Sequence, residues 1–144
     1  MQGSGRKNVY VVEKPVRDVL SKLTKAAIEN RISFPGLVET LLKNGVQGFS
    51  ANLISGCNTL YMHDESHHVV SGYRAAPPAP VFRAERVLQS FRLTQNGELN
   101  YSDFCKLLAQ AGCVEFTIKI SARHTSFRGN GKDYTVIWYQ GMPA

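Results

Sequence analysis

A chain of 144 residues is long enough for one domain, or for two half-domains sharing a core, and its 43% hydrophobic content suffices for a packed interior. No run of 18 apolar residues occurs, which excludes a membrane-spanning helix. The formal net charge of +6 favours an anionic partner, although no block of five like charges concentrates it.

The chain opens MQGSGRKNVYVV, without the apolar core of a signal peptide. Gly3, Ser4 and Gly5 read as a flexible leader, and residues 8–12 as an edge strand. A helix follows. Pro15 suits its first turn, and Val16, Val19, Leu20, Leu23 and Ala27 keep near a 3.6-residue period until Asn30 and Arg31. Ser33 then caps a second helix with an apolar stripe of Phe34, Leu37, Val38, Leu41 and Leu42. Gly45 stops it. The period changes to two at Phe49, Ala51 and Leu53, a half-buried strand. A turn at 55–58, a strand at 59–62, a turn at 64–66 and a strand at 67–71 complete a meander. Three prolines within residues 77–80 make a stiff connector.

Beyond the connector the pattern returns. Ala84, Val87, Leu88 and Phe91 mark a helix ending at Asn96 and Gly97. Asn100 caps the next helix, with stripe Tyr101, Phe104, Cys105, Leu108 and Ala109, and Gly112 ends it. Phe116, Ile118 and Ile120 alternate in a strand; strands at 125–128 and 134–139 follow, joined through Asn130 and Gly131, both of which tolerate positive φ. Residues 34–54 thus reappear at 101–121 without a gap, at an offset of 67 positions. The expected fold class is α+β: two tandem helix–helix–β-meander repeats packed as one pseudo-twofold domain with an antiparallel sheet. The expected organisation is a leader and edge strand at 1–14, a first repeat at 15–74, a linker at 75–82 and a second repeat at 83–144.

The alanine–proline linker, AERV at 84–87, TQNGELNY at 94–101, the hairpin after Ala111 and Gly112, and NRISFPGL at 30–37 carry a family resemblance. With these features the chain resembles a family of small uncharacterised bacterial proteins, also duplicated and often labelled "phage envelope protein". The resemblance is strongest over the second half and leaves out residues 1–14. It implies the duplicated fold, and it brings no reaction, cofactor or catalytic residue.

Three cysteines cannot all pair within one chain, and Cys57, Cys105 and Cys113 lack zinc-ligand spacing, so a reducing, cytoplasmic setting is expected. Cys105 lies on an apolar helix stripe; Cys57 falls in a predicted turn. His63, Asp64 and His67, with Glu65 and His68, form the densest set of ligand-type side chains, the combination a divalent metal would use. The competing reading is a polar turn at a hairpin tip. In the second half Lys119, Arg123, Arg128, Lys132 and Tyr134 mix cations with aromatics, as a single-stranded nucleic acid requires. The competing reading there puts Phe127 and Trp138 in the core and the charges on a wet sheet face. No GxSxG, HExxH, phosphate-loop or dinucleotide signature is present, so no cofactor is expected and catalysis has no support. The readings therefore rank as a non-enzymatic binding or assembly role, which could include a homodimer pairing edge strands, then nucleic-acid binding, then metal-dependent activity.

Overall fold

The computed structural model describes residues 14–138; the expected strand at 8–12 lies outside them. The first half contains α1 (Lys14–Ile28), α2 (Phe34–Lys43), β1 (Val46–Asn52), β2 (Cys57–Met62) and β3 (His67–Ser71). The second contains α3 (Ala84–Gln95), α4 (Tyr101–Gln110), β4 (Cys113–Lys119), β5 (His124–Gly129) and β6 (Tyr134–Trp138). From α2 to β3 every element boundary recurs 67 positions later, and the ends of α1 and α3 keep the same offset. The duplication is therefore wider than the apolar pattern that disclosed it.

Local chemistry explains the boundaries. Ser33 Oγ accepts the Gly36 N–H at 3.1 Å, and Asn100 Oδ1 accepts the Asp103 N–H at 2.8 Å, so both second helices begin on side-chain caps. Asn30 and Gly97 occupy equivalent places after α1 and α3, with φ of 60° and 76°. Asparagine does there what glycine does in the other copy, because its short polar side chain tolerates the left-handed region.

Two stripe residues are exceptions. Val19 and Leu42 are exposed. On a helix of 100° per residue, Val19 sits about 100° round from Leu20 and Leu42 about 80° round from Phe34. A helix lying on a sheet buries a narrower arc than that. Thr24 takes the inward place on α1 and returns its hydroxyl to Leu20 O at 3.0 Å.

The six strands among the described residues form one antiparallel sheet in the order β3-β2-β1-β4-β5-β6. The two meanders meet at β1 and β4. Their register pairs Phe49 with Ile118, Ser50 with Thr117 and Ala51 with Phe116. Ser50 and Thr117 are themselves equivalents, so the pseudo-twofold axis passes between them, where their hydroxyls hydrogen-bond at 2.9 Å. A bulge at Val46/Gly48 against β2 is repeated at Cys113/Glu115 against β5.

The helices cover one face. Phe49, Ala51, Leu60, Phe116, Ile118 and Phe127 point into that layer and are buried. Equivalent residues touch across the axis: Phe34 stacks on Tyr101 at 6.2 Å, and Phe49 meets Phe116 edge-on at 6.1 Å. The Tyr101 hydroxyl is held by Asn58 Nδ2 at 3.5 Å, and burial pushes its pKa well up. The core is therefore shared between the halves. Among the described residues no helix is long and apolar enough to cross a membrane.

Candidate binding face

Among the described residues the opposite face of the sheet carries no helix, and strand register arranges its side chains in three rows across the six strands. The middle row is Val69, Thr59, Ser50, Thr117, Ser126 and Val136. One flanking row runs His67, Tyr61, Gly48, Lys119, His124 and Trp138; the other runs Ser71, Cys57, Asn52, Glu115, Arg128 and Tyr134. Trp138 is 70% exposed and Tyr134 59%. His124 and Trp138 lie ring to ring at 4.2 Å.

Of the residues expected to meet a nucleic acid, three share this face: Lys119, Arg128 and Tyr134. Arg123 sits in the turn between β4 and β5 with φ of 55°, and Lys132 in the turn between β5 and β6, at the other end of β5. Arg128 is committed to Glu115, with Nη2 at 2.9 Å and Nε at 3.2 Å from one carboxylate oxygen. Lys119 joins none of the ion pairs formed among the described residues, which are Arg31–Glu29, Lys43–Glu39 and Arg128–Glu115.

The core alternative for the aromatics is half met. Phe127 is buried, but Trp138 is not. Phe127 pairs with Thr135, and Trp138 lies three residues further along β6, so alternation turns it to the open side. Sequence reading also missed Tyr61 and Gly48, which come from the first half and reach Lys119 only through the central β1–β4 pairing. Their signal was the unusual glycine inside a strand.

His63 and Asp64 lie in the turn between β2 and β3, and His67 begins β3 on the open face beside Tyr61. Asp64 Oδ1 accepts the Ser66 hydroxyl at 2.5 Å and the Ser66 N–H at 2.9 Å, which holds its carboxyl below the usual range. Glu65 sits at φ of 74° in the same turn. Among the described residues no group of three or more His, Cys, Asp or Glu side chains is placed to hold a metal ion. Cys57 is the first residue of β2, not a turn residue, and is exposed on the open face. Cys105 and Cys113 are buried; burial raises both thiols, Cys113 to about 12.

His68 pairs with Leu60 and so faces the helices. Its Nε2 is buried without a hydrogen-bond partner, as is Nε of Arg17 on α1. Burial first, then the Arg17 charge, then His67, lower its pKa below the ordinary histidine value. The folded protein thus prefers the neutral ring, and the unfolded chain binds more protons in the window below about pH 6.5. Stability is fully present above that pH and is lost as pH falls through the folded pKa. The urea midpoint is expected to drop between pH 7 and pH 5 in the wild type and to drop less in His68→Asn. Equal slopes would show that His68 is not the group responsible.

These features define a class: an internally duplicated α+β protein with helices on one face of a six-stranded antiparallel sheet and, among the described residues, an open second face. Within that class the chain belongs to the family described as "Protein of unknown function (DUF1398)", whose model matches residues 22–133. The match begins inside α1 and ends in the turn before β6, so it takes in most of each repeat. No curated protein matches the chain.

Proposed function

We propose that the protein is a binding module whose working surface is the open sheet face, and that its ligand class is single-stranded nucleic acid. The observation that carries the reading is the row His67–Tyr61–Gly48–Lys119–His124–Trp138, which sets rings side by side with a cation that has no ion-pair partner among the described residues. Rings give bases a surface to stack on, and cations attract phosphates whatever the sequence. A net charge of +6 acts in the same direction.

A flexible single strand suits a sheet face of this kind, because stacking and ion contacts are made one nucleotide at a time. The cytoplasmic setting and the phage association expected from the sequence belong to this proposal, since both would supply nucleic acid.

The test is fluorescence anisotropy with labelled single strands over a salt series. Lys119, Arg123 and Lys132 should give a log–log salt slope of about −2, at about 0.7 per contact. Lys119→Gln with Lys132→Gln should reduce it toward −0.7. Trp138→Ala should weaken binding by about tenfold to a hundredfold, the worth of one stacked base. Absent or salt-independent binding would end the proposal.

A further inference from the structure

We infer that the hollow over Gly48 is a subsite for one nucleotide unit, taking the base against Tyr61 and the phosphate on Lys119. This rests on the open face being the working surface. The hollow has a volume of about 570 Å³, inside the range of small-molecule sites. It is lined by Ser50 and Thr117, whose hydroxyls hydrogen-bond on the pseudo-twofold axis, and by Tyr61, Lys119, Gln47 and Ser121.

Backbone geometry makes the hollow. A Cβ at Gly48 would lie 2.6 Å from Ile118 O, so the close approach of β1 and β4 admits no side chain at this point of the row. Tyr61 and Lys119 stand one strand to either side of Gly48, about 10 Å apart in backbone position. That separation leaves room for a planar ring and its substituent between them.

The other half carries different side chains at the equivalent places. The equivalents of Gly48 and Tyr61 are Glu115 and Arg128, which close on each other in an ion pair. The fold repeats, and the side chains that frame the hollow do not. The groups around it match a nucleotide: an aromatic ring for the base, hydroxyls and the Gln47 amide for its polar edge and the sugar, and for the phosphate one ammonium with no ion-pair partner among the described residues.

The experiment is an NMR amide titration of the full chain with the four nucleoside monophosphates, their nucleosides, inorganic phosphate and a short oligonucleotide. Monophosphates are expected to shift the amides of Gly48, Ser50, Thr117 and Ser121. Lys119→Gln should weaken the monophosphate about tenfold and leave the nucleoside unchanged, while Tyr61→Leu should weaken both. Unchanged melting temperatures would show that both variants fold. Phosphate alone reproducing the monophosphate shifts would overturn the subsite in favour of a plain anion site. If the oligonucleotide binds but moves only amides elsewhere on the face, the subsite fails and the open-face reading survives. Monophosphate binding at the hollow without oligonucleotide binding would support the subsite and sink the single-strand reading.

Discussion

Gly112→Ala is expected to destabilise the protein by about 3–4 kcal/mol, and the same substitution at its equivalent, Gly45, by about 1 kcal/mol. The two glycines share a conformation, with φ of 85° and 86°. Each ends a helix and turns the chain into a central strand, so each carries the same left-handed penalty for alanine. Their surroundings differ. A Cβ at Gly45 would meet Met62 Cε at 3.6 Å, an ordinary contact with a flexible tip. A Cβ at Gly112 would lie 2.3 Å from Val81 O and 2.8 Å from Phe82 Cα, both backbone. That backbone cannot easily retreat. The Arg83 N–H donates to Ala111 O at 2.8 Å and the Ala79 N–H to Ala109 O at 2.9 Å, tying residues 79–83 to the end of α4. Relief of the clash must break or stretch those bonds, at about 1 kcal/mol each. Thermal melts should show a fall of roughly 10–15 °C for Gly112→Ala and about 3–4 °C for Gly45→Ala. Equal losses at the two sites would mean that the contact with the segment entering α3 is not what holds Gly112.

The same contrast marks what could be read from the chain. The offset of 67 was legible because buried positions answer to packing, and packing is the same in both copies: Phe34 with Tyr101, Leu41 with Leu108, Phe49 with Phe116. Turns were less legible. Arg123 occupies the left-handed place that Gly56 takes in the first copy, and no propensity flags an arginine for it. Asn130 and Gly131 suggested two positive φ values, but only Gly131 has one. Helix stripes were read too wide at Val19 and Leu42, because periodicity says which residues share a side and not how much of that side a sheet covers. The candidate site was half legible. Lys119, Arg128 and Tyr134 could be grouped from their own hairpin, which is local. Gly48 and Tyr61 could not be joined to them without the β1–β4 register, a pairing across 67 positions that hydrophobic pattern alone leaves open. The Arg128–Glu115 pair, which withdraws one of the expected cations, lies inside that hairpin, but the bulge between Cys113 and Glu115 shifts the register that aligns it.

Phe116→Ala is expected to cost about 4–5 kcal/mol and Phe49→Ala about 3 kcal/mol, although the residues are equivalents and both are buried. Phe116 stands against four rings: Phe104 at 5.4 Å, Phe49 at 6.1 Å, Phe127 at 6.2 Å and Tyr101 at 6.5 Å. Phe49 meets one aromatic ring among the described residues, that of Phe116. Removing Phe116 leaves a cavity walled by bulky rings from α4, β5 and β1 that cannot all close in together, whereas the space left by Phe49 is bordered by one aromatic ring among the described residues. Since the pair touches edge-on across the pseudo-twofold axis, the double variant should lose about 0.5–1.5 kcal/mol less than the two single losses combined. Urea unfolding of the four proteins measures this cycle. Its sign also reports on the duplication: a coupled pair at the axis means that neither repeat keeps its core when the other opens, and unfolding should then follow one transition by both tryptophan fluorescence and circular dichroism. Strict additivity, or two separated transitions, would mean that the halves hold their cores independently and that the shared aromatic layer does not bind them into one cooperative unit.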